Sequence, residues 1–187
     1  MKRALIICAV LLSACKEEAQ NVSPVALTEE SVGHYCQMNL LEHDGPKAQV
    51  HMNGNPGKPL YFSQVRDAIA YSRLPEQDGV ILAIWVNDMG APGATWAEPG
   101  AANWIDATTA HYVVGSSVEG GMGAPELVPF ADLEKATGFA AKHGGTAMSL
   151  AAIPDTAVIS PVALPGDGTT DADYSNRLKA LSDKIGG

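Results

Sequence analysis

Residues 48–71 read AQVHMNGNPGKPLYFSQVRDAIAY, and residues 111–139 read HYVVGSSVEGGMGAPELVPFADLEKATGF. Each stretch opens with a short run of β-forming residues, passes through a glycine-containing turn and returns in a second short run. Each then ends in apolar residues at the three- and four-residue spacing of a helix. The two stretches therefore form a weak internal repeat, and both predict strand, turn, strand and helix.

A further apolar run follows each predicted helix, at residues 80–86 and 147–153. These runs predict a closing strand in each copy, so the fold class is α+β with two similar ββαβ lobes in one compact two-lobed domain. The first lobe is expected over residues 34–100 and the second over residues 101–160. Ser63 is the expected N-cap of the first helix.

The amino terminus has the pattern of an export signal. Met1-Lys2-Arg3 precedes an apolar run over residues 4–12, and Leu12-Ser13-Ala14-Cys15 follows. The apolar run is shorter than the roughly 20 residues that span a bilayer. We interpret residues 1–14 as a lipoprotein signal peptide and Cys15 as the lipidated first residue of the mature chain. The alternative is an ordinary signal cleavage site at which Cys15 is incidental.

Lipidation at Cys15 predicts a domain held by its lipid on the periplasmic side of a bacterial membrane. Lys16 follows the cysteine, which favours the outer membrane. The polar residues 15–33 are expected to form a flexible lipidated tether. At the other end, residues 161–187 predict a linker followed by a short amphipathic helix over residues 172–185.

The chain of 187 residues is acidic, with 12 Lys and Arg against 21 Asp and Glu and a formal net charge of −9. Loss of Lys2 and Arg3 with the signal peptide makes that charge −11. An acidic surface argues against nucleic-acid binding. Membrane attachment is therefore expected through the lipid anchor rather than through a basic patch.

The three cysteines have different expected fates. Cys8 leaves with the signal peptide and Cys15 carries the lipid, which leaves Cys36 alone in an oxidising compartment. An unpaired thiol in such a compartment is buried, catalytic or bound to a soft metal. The sequence leaves these three possibilities open.

The segment His34-Tyr35-Cys36-Gln37-Met38 provides a thiol and a thioether one residue apart. Such soft sulfur donors select Cu(I). Two donors do not complete a trigonal Cu(I) site, so a third ligand from elsewhere is expected, and Met122 between glycines is the best candidate. His34 and Met89 are possible further ligands, although we expect His34 to lie at the surface or next to the metal without binding it, and Met89 to serve in packing.

The sequence lacks the marks of the competing chemistries. No two histidines have the spacing of a helical zinc pair, and the C-x-x-C motif of a thiol oxidoreductase is absent. No nucleophile-turn signature accompanies Cys36, so we expect no enzyme activity and no catalytic residues. The remaining alternative is a periplasmic binding or interaction lipoprotein without metal, in which Cys36 is a buried structural thiol.

A set of short motifs, spread in order over about residues 32–155, resembles the NosL family of copper-chaperone lipoproteins of nitrous oxide reductase maturation. The motifs are the lipobox at Cys15, Cys36-Gln37-Met38, residues 47–50, Tyr61-Phe62, residues 87–89, residues 104–107, residues 112–115, Gly121-Met122-Gly123 and residues 126–130. One departure is Gln37, where the resemblance leads us to expect glycine.

The resemblance implies two ββαβ lobes and a Cu(I) site that lies between them. It carries the family's cysteine onto Cys36, its following methionine onto Met38 and the methionine of its second-lobe glycine loop onto Met122. It further implies delivery of Cu(I) through a NosDFY-type ABC transporter complex towards the copper–sulfide centre of nitrous oxide reductase.

Overall fold

The structure is a computed structural model that describes residues 19–75, 77–159, 175–176 and 178–179. Its elements follow one another as two ββαβ units with one additional strand between them. The elements are β1 (Ala48–Met52), β2 (Leu60–Phe62), α1 (Val65–Arg73), β3 (Ile81–Val86), β4 (Ile105–Asp106), β5 (His111–Val114), β6 (Val128–Phe130), α2 (Leu133–His143) and β7 (Thr146–Ser149).

The two lobes share one topology, which confirms the repeat seen in the sequence. In the first sheet the strand order is β2-β1-β3-β4, and in the second it is β6-β5-β7. All neighbouring strands are antiparallel, with the first strand of each ββαβ unit lying between the next two. The mixed fold of two sheets and two helices is therefore the one that the sequence predicts.

The added strand β4 differs from the expected division of the chain. It lies in the stretch assigned to the second lobe, yet it pairs with β3 through Trp85–Asp106 and Val86–Ile105. The backbone N–H of Ala107 continues this contact by donating to the carbonyl of Ile84 at 2.9 Å. A two-residue strand has too little periodicity to be recognised before its partner is known.

Two further local predictions differ from the structure. The residue before α1 is Gln64 rather than Ser63, and it makes no side-chain capping bond. The predicted last strand over residues 147–153 is wrong in its second half, because β7 ends at Ser149 and a 3-10 turn follows over Leu150–Ala152. Alanine-rich apolar runs do not distinguish a strand from such a turn.

The predicted tether also differs from the structure, because residues 20–33 pack on the first lobe. Leu27 is buried, and its N–H donates to the carbonyl of Ala101 at 2.9 Å. The side chain of Gln49 accepts from the Val25 N–H at 2.9 Å and donates to the Val25 carbonyl at 3.0 Å. We call residues 20–27 the strap.

The strap explains why β1 is buried on both faces. Ala48, Val50 and Met52 lie in the main core, whereas Gln49 and His51 are fully buried on the opposite face. Gln49 also bonds to the His51 ring, with 3.0 Å between Oε1 and Nε2. A polar face that would otherwise meet water is therefore covered by backbone groups of the strap.

One core joins the two lobes. Residues from both sheets belong to the same buried cluster, including Val50 and Phe62 from the first lobe and Tyr112, Leu127 and Ile153 from the second. A smaller cluster lies under α2 around Val128 and Phe130.

No helix in the described part of the chain is both long and apolar enough to cross a membrane. The predicted signal peptide and the predicted lipidation site Cys15 lie outside the described residues. Of the predicted carboxy-terminal helix, only positions 175–176 and 178–179 are described, and all four are helical.

Candidate metal centre

Cys36 and Met38 lie on a tight loop that begins at Val32 and ends at Asn39. Val32 and Asn39 form an antiparallel bridge across the base of the loop, and the Gly33 N–H donates to the Met38 carbonyl at 3.0 Å. The loop is held on β2 because the His34 N–H donates to the Tyr61 carbonyl at 2.6 Å. The thiol and the thioether are thus presented by a hydrogen-bonded turn.

The turn requires a left-handed residue at position 37. Gln37 has φ +54°, a conformation that costs a residue with a side chain free energy relative to glycine. Its side-chain amide offsets this cost by donating to the carbonyls of Gly33 at 3.2 Å and His34 at 2.7 Å. Glutamine therefore supports the turn for which the resemblance led us to expect glycine.

Cys36 is half-buried, and Gly33 lies directly against it. A Cβ atom at Gly33 would collide with Cys36 Sγ, so glycine is needed for this close approach. Cys36 is thus not fully buried, whereas the alternative of a buried structural thiol predicts full burial. Met38 beside it is 44% exposed.

Met122 lies on the glycine loop of the second lobe, and this loop packs on the first lobe. The Met122 N–H donates to Gln64 Oε1 at 3.0 Å, which holds the loop at the start of α1. A Cβ atom at Gly121 would lie only 2.8 Å from the Asp44 carbonyl oxygen, so the two backbones are in close contact there. The Met122 side chain is 46% exposed.

The loops that carry Cys36 and Met122 are therefore seated on neighbouring parts of the first lobe. The first is followed directly by the 3-10 turn Leu40–Glu42, and the second packs on His43 and Asp44 just after that turn. An exposed methionine does not contribute to the hydrophobic core, but its thioether is available as a metal donor. The structure brings the expected Met122 loop to the lobe that carries the Cys36–Met38 pair.

The other two candidates occupy different environments. His34 belongs to an aromatic cluster, with ring centroids 5.1 Å from Tyr35 and 5.6 Å from both Phe62 and Tyr71. Met89 packs against the smaller core, as expected, and its N–H donates to the Pro129 carbonyl at 2.9 Å. Within the described ranges, no three His, Cys, Asp or Glu side chains gather as a metal site.

The sequence analysis missed a buried polar group beneath the glycine loop. Glu126 is 1% exposed, and its Oε1 accepts from the N–H groups of Arg66 at 3.0 Å and Leu127 at 2.8 Å. Its Oε2 has no hydrogen-bond partner, and burial raises the pKa of Glu126 to about 8. A signal for this site was present, since Glu126 is a charged residue at the start of an apolar run.

Gln64 and Gly120 complete this buried group. A Cβ atom at Gly120 would lie 2.6 Å from both Gln64 Nε2 and Glu126 Oε2, so only glycine fits above the pair. Gln64 is itself fully buried and bonds to the loop at Met122 and Ala124. The position of the Met122 loop therefore depends on polar side chains from both lobes.

Lys47 is a second buried ionisable residue near this end of the first lobe. Its ammonium donates to the carbonyls of His43 at 2.6 Å, Asp44 at 3.1 Å and Gly45. Burial lowers the pKa of Lys47 to about 8, while the carboxylates of Glu126 and Asp44 act in the opposite direction. These contacts fix the segment on which the glycine loop rests.

Comparison with known proteins shows the family of the chain. The NosL family model matches residues 24–158. The chain is 56% identical over 179 residues to the copper-binding lipoprotein NosL of Achromobacter cycloclastes, which covers 95% of this chain and 92% of the relative. It is 35% identical over 137 residues to the copper-binding lipoprotein NosL of Stutzerimonas stutzeri, with coverage of 72% and 69%.

The fold is similar to the crystal structure of the copper chaperone NosL from Shewanella denitrificans. The TM-score is 0.63 at 28% identity, over 70% of this chain and 94% of that protein. The family match extends over both lobes and includes the strap from residue 24 onward. This chain therefore belongs to the NosL family.

Proposed function

We propose that this protein is a lipid-anchored Cu(I) chaperone that acts on the periplasmic side of a bacterial membrane. The observation that carries the proposal is the exposure of Met38 and Met122 on two loops that pack on the lobe that holds Cys36. Family membership supports it, because two relatives are named copper-binding lipoproteins and a third protein of similar fold is named a copper chaperone.

The proposed site uses the Cys36 thiolate as the strong, charge-neutralising donor. Met38 and Met122 supply thioethers, which suit Cu(I) better than hard cations. A low-coordinate site with exposed ligands leaves one side open to a donor from the recipient, so copper passes by ligand exchange without release of the free ion. Protons compete with Cu(I) for the sulfur of Cys36, so binding weakens as the pH falls.

We propose that Cys15 carries the lipid and that the recipient is a NosDFY-type ABC transporter complex. Copper then continues towards the copper–sulfide centre of nitrous oxide reductase. The lipid anchor supports this pairing, because it keeps the donor in the compartment that the acceptor faces and so raises its effective concentration there. The proposal includes no catalytic turnover, since the protein binds and releases its cargo unchanged.

An anaerobic Cu(I) titration of the lipidated chain in detergent, against a chromogenic Cu(I) chelator, tests the site. We expect one tight equivalent, its loss in Cys36→Ser and weaker binding in Met38→Leu and Met122→Leu. Leucine keeps the volume of methionine and removes the sulfur. Met89→Leu is the matched control and should bind as the wild type does.

Two results would contradict this assignment. If the wild type does not compete with the chelator for Cu(I), the proposed copper function is wrong. Unchanged binding in Met122→Leu would show that Met122 is not a ligand and that the site is confined to the Cys36 loop. Delivery is tested separately by copper transfer from the loaded protein to the purified transporter complex, where Cys36→Ser should transfer none.

A further inference from the structure

The strap enters the first lobe at a defined point. Gln20 Nε2 donates to the Met52 carbonyl at 2.9 Å, and Gln20 Oε1 accepts from the Gly54 N–H at 2.9 Å. Val22 is held next to it, because Trp85 Nε1 donates to the Val22 carbonyl at 2.8 Å. The first residues of the strap are thus fixed at the turn between β1 and β2.

This entry point borders an exposed groove that is lined by both polar and apolar groups. The groove has a volume of about 660 Å³, and its walls include Val22, Val80 and Leu82 beside Gln20. Val80 is 64% exposed and Leu82 is 42% exposed. Clustered exposed apolar side chains mark a surface that meets a partner or a membrane. We call this surface the entry patch.

The chain length between the entry patch and the expected lipid limits how far they can separate. Cys15 precedes Gln20 by five residues. A fully extended chain of that length reaches at most about 18 Å. Acyl chains on Cys15 would place this residue at the bilayer surface, so the entry patch stays within that distance of the lipid headgroups.

We propose that the entry patch docks on the surface of the membrane that holds the Cys15 lipid, with Val22, Val80 and Leu82 in contact with the interfacial region. This inference rests on the lipidation of Cys15 in the proposed function. The short connection holds the patch at the bilayer, where burial of its apolar side chains is favourable. The groove is therefore covered by the lipid surface of the membrane.

Docking at this patch would place the Met122 loop at the end of β1 that is farther from the bilayer. The strap enters at Met52 and Gly54, whereas the Cys36 loop is bound at Tyr61 and the Met122 loop at Gln64. Gly54 lies beyond one end of β1, and Gln64 lies beyond the other end, where Ala48 pairs with Phe62. The strand between them is about 13 Å long. The Met122 loop therefore lies at the end of β1 opposite the docked patch, and the Cys36 loop lies along β2 between the two ends.

Fluorescence quenching in vesicles tests this orientation with the full lipidated chain. The chain is reconstituted in phosphatidylcholine vesicles with and without brominated acyl chains, and the quenching of Leu82→Trp is compared with that of the parent. Leu133→Trp is the matched control, since Leu133 is 52% exposed. Leu133 comes two residues after Ala131, whose N–H donates to Asp88 Oδ1. Asp88 lies just after the last residue of β3, whereas Leu82 lies near its first residue.

We expect bromination to cause an additional loss of fluorescence in Leu82→Trp and none in Leu133→Trp. The parent supplies the background from the three native tryptophans. Because the chain without Lys2 and Arg3 has a formal charge of −11, docking is apolar in origin, and high salt should leave the quenching unchanged. Equal quenching at the two positions, or none at position 82, would overturn the proposal.

Two further readouts separate the possible failures. The intact mass of the membrane-extracted chain reports lipidation, and its absence would overturn both the anchor and the orientation. A lipidated chain without quenching at Leu82→Trp would overturn the orientation alone and leave the copper titration unaffected. Concentration-dependent dimerisation of Cys15→Ser in solution, abolished by Leu82→Ser, would show that a second copy covers the patch instead.

Discussion

Glu126 combines full burial with an incomplete set of hydrogen bonds. One carboxylate oxygen accepts two backbone N–H groups, and the other has no partner. An ionised carboxylate in such a place lacks the solvation that water gives to the unfolded chain. Burial accordingly raises the pKa of Glu126 from 4.5 to about 8.

This raised pKa predicts a pH-dependent stability. The folded protein holds the Glu126 proton more tightly than the unfolded chain, so the stabilising contribution is fully present below pH 4.5. It is lost as the pH rises towards about 8. Urea unfolding of the wild type and Glu126→Gln across this range checks the effect. We expect the variant to be the more stable protein near pH 8.

Glutamine is the matched replacement because it keeps the size of the side chain and cannot ionise. It should reduce the fall in unfolding free energy that the wild type shows between pH 4.5 and pH 8. Equal pH slopes for the two proteins would show that Glu126 does not titrate between the folded and unfolded states. The measurement stops at pH 8 because Lys47, whose pKa burial lowers, titrates with the opposite effect above it.

At the scale of the elements, the two helices of the repeat begin in different ways. In α2 the Asp132 side chain accepts from the N–H groups of Glu134 at 2.7 Å and Lys135 at 3.0 Å. In α1 the residue before the helix makes no such bond, and Gln64 is used instead to hold the Met122 loop. The first helix thus lacks a side-chain cap at the position where Gln64 binds the second lobe.

This difference predicts unequal costs of removing the two candidate caps. Asp132→Ala should lower the free energy of unfolding by about 1 kcal/mol, because two N–H groups lose their acceptor. Ser63→Ala is the matched control and should cost less, since Ser63 does not cap α1. Chemical unfolding of both variants checks this, and an equal loss in the two would contradict the assignment of the caps.

At the scale of the whole molecule, residues 150–157, which follow β7, are hydrogen-bonded to α1. Arg73 Nη1 donates to the Ile153 carbonyl and to Asp155 Oδ1, both at 2.8 Å, and Nη2 donates to the Leu150 carbonyl at 3.2 Å. Arg66 Nε adds a bond to the Ala157 carbonyl at 3.1 Å. Two arginines of the first lobe therefore hold the chain that follows β7 of the second.

The Arg73 contacts predict that its removal weakens the attachment of the lobes. Arg73→Ala should cost roughly 2 kcal/mol of unfolding free energy, because carbonyl groups lose a charged donor. Asp155→Ala is the control for the ion pair alone. Its side chain is 75% exposed, so we expect a loss below about 1 kcal/mol. A larger effect in Asp155→Ala than in Arg73→Ala would contradict this account.

The sequence by itself determined the repeated ββαβ order and the types of donor atom. Strand periodicity, turn residues and helical spacing are local properties, so both copies could be recognised along the chain. Cys36, Met38 and Met122 were likewise chosen for their sulfur chemistry, which does not depend on the fold. Their role as copper ligands stays a prediction that the titration tests.

Only the tertiary structure decided which surfaces are covered and which are open. The strap hides Gln49 and His51, β4 joins the first sheet, and Gln64 reaches across to Met122. These contacts join residues that are distant in the sequence, and local periodicity carries no record of them. Burial arises from such contacts. For this reason only the folded chain shows that Met38 and Met122 are exposed and that Glu126 Oε2 is buried without a hydrogen-bond partner.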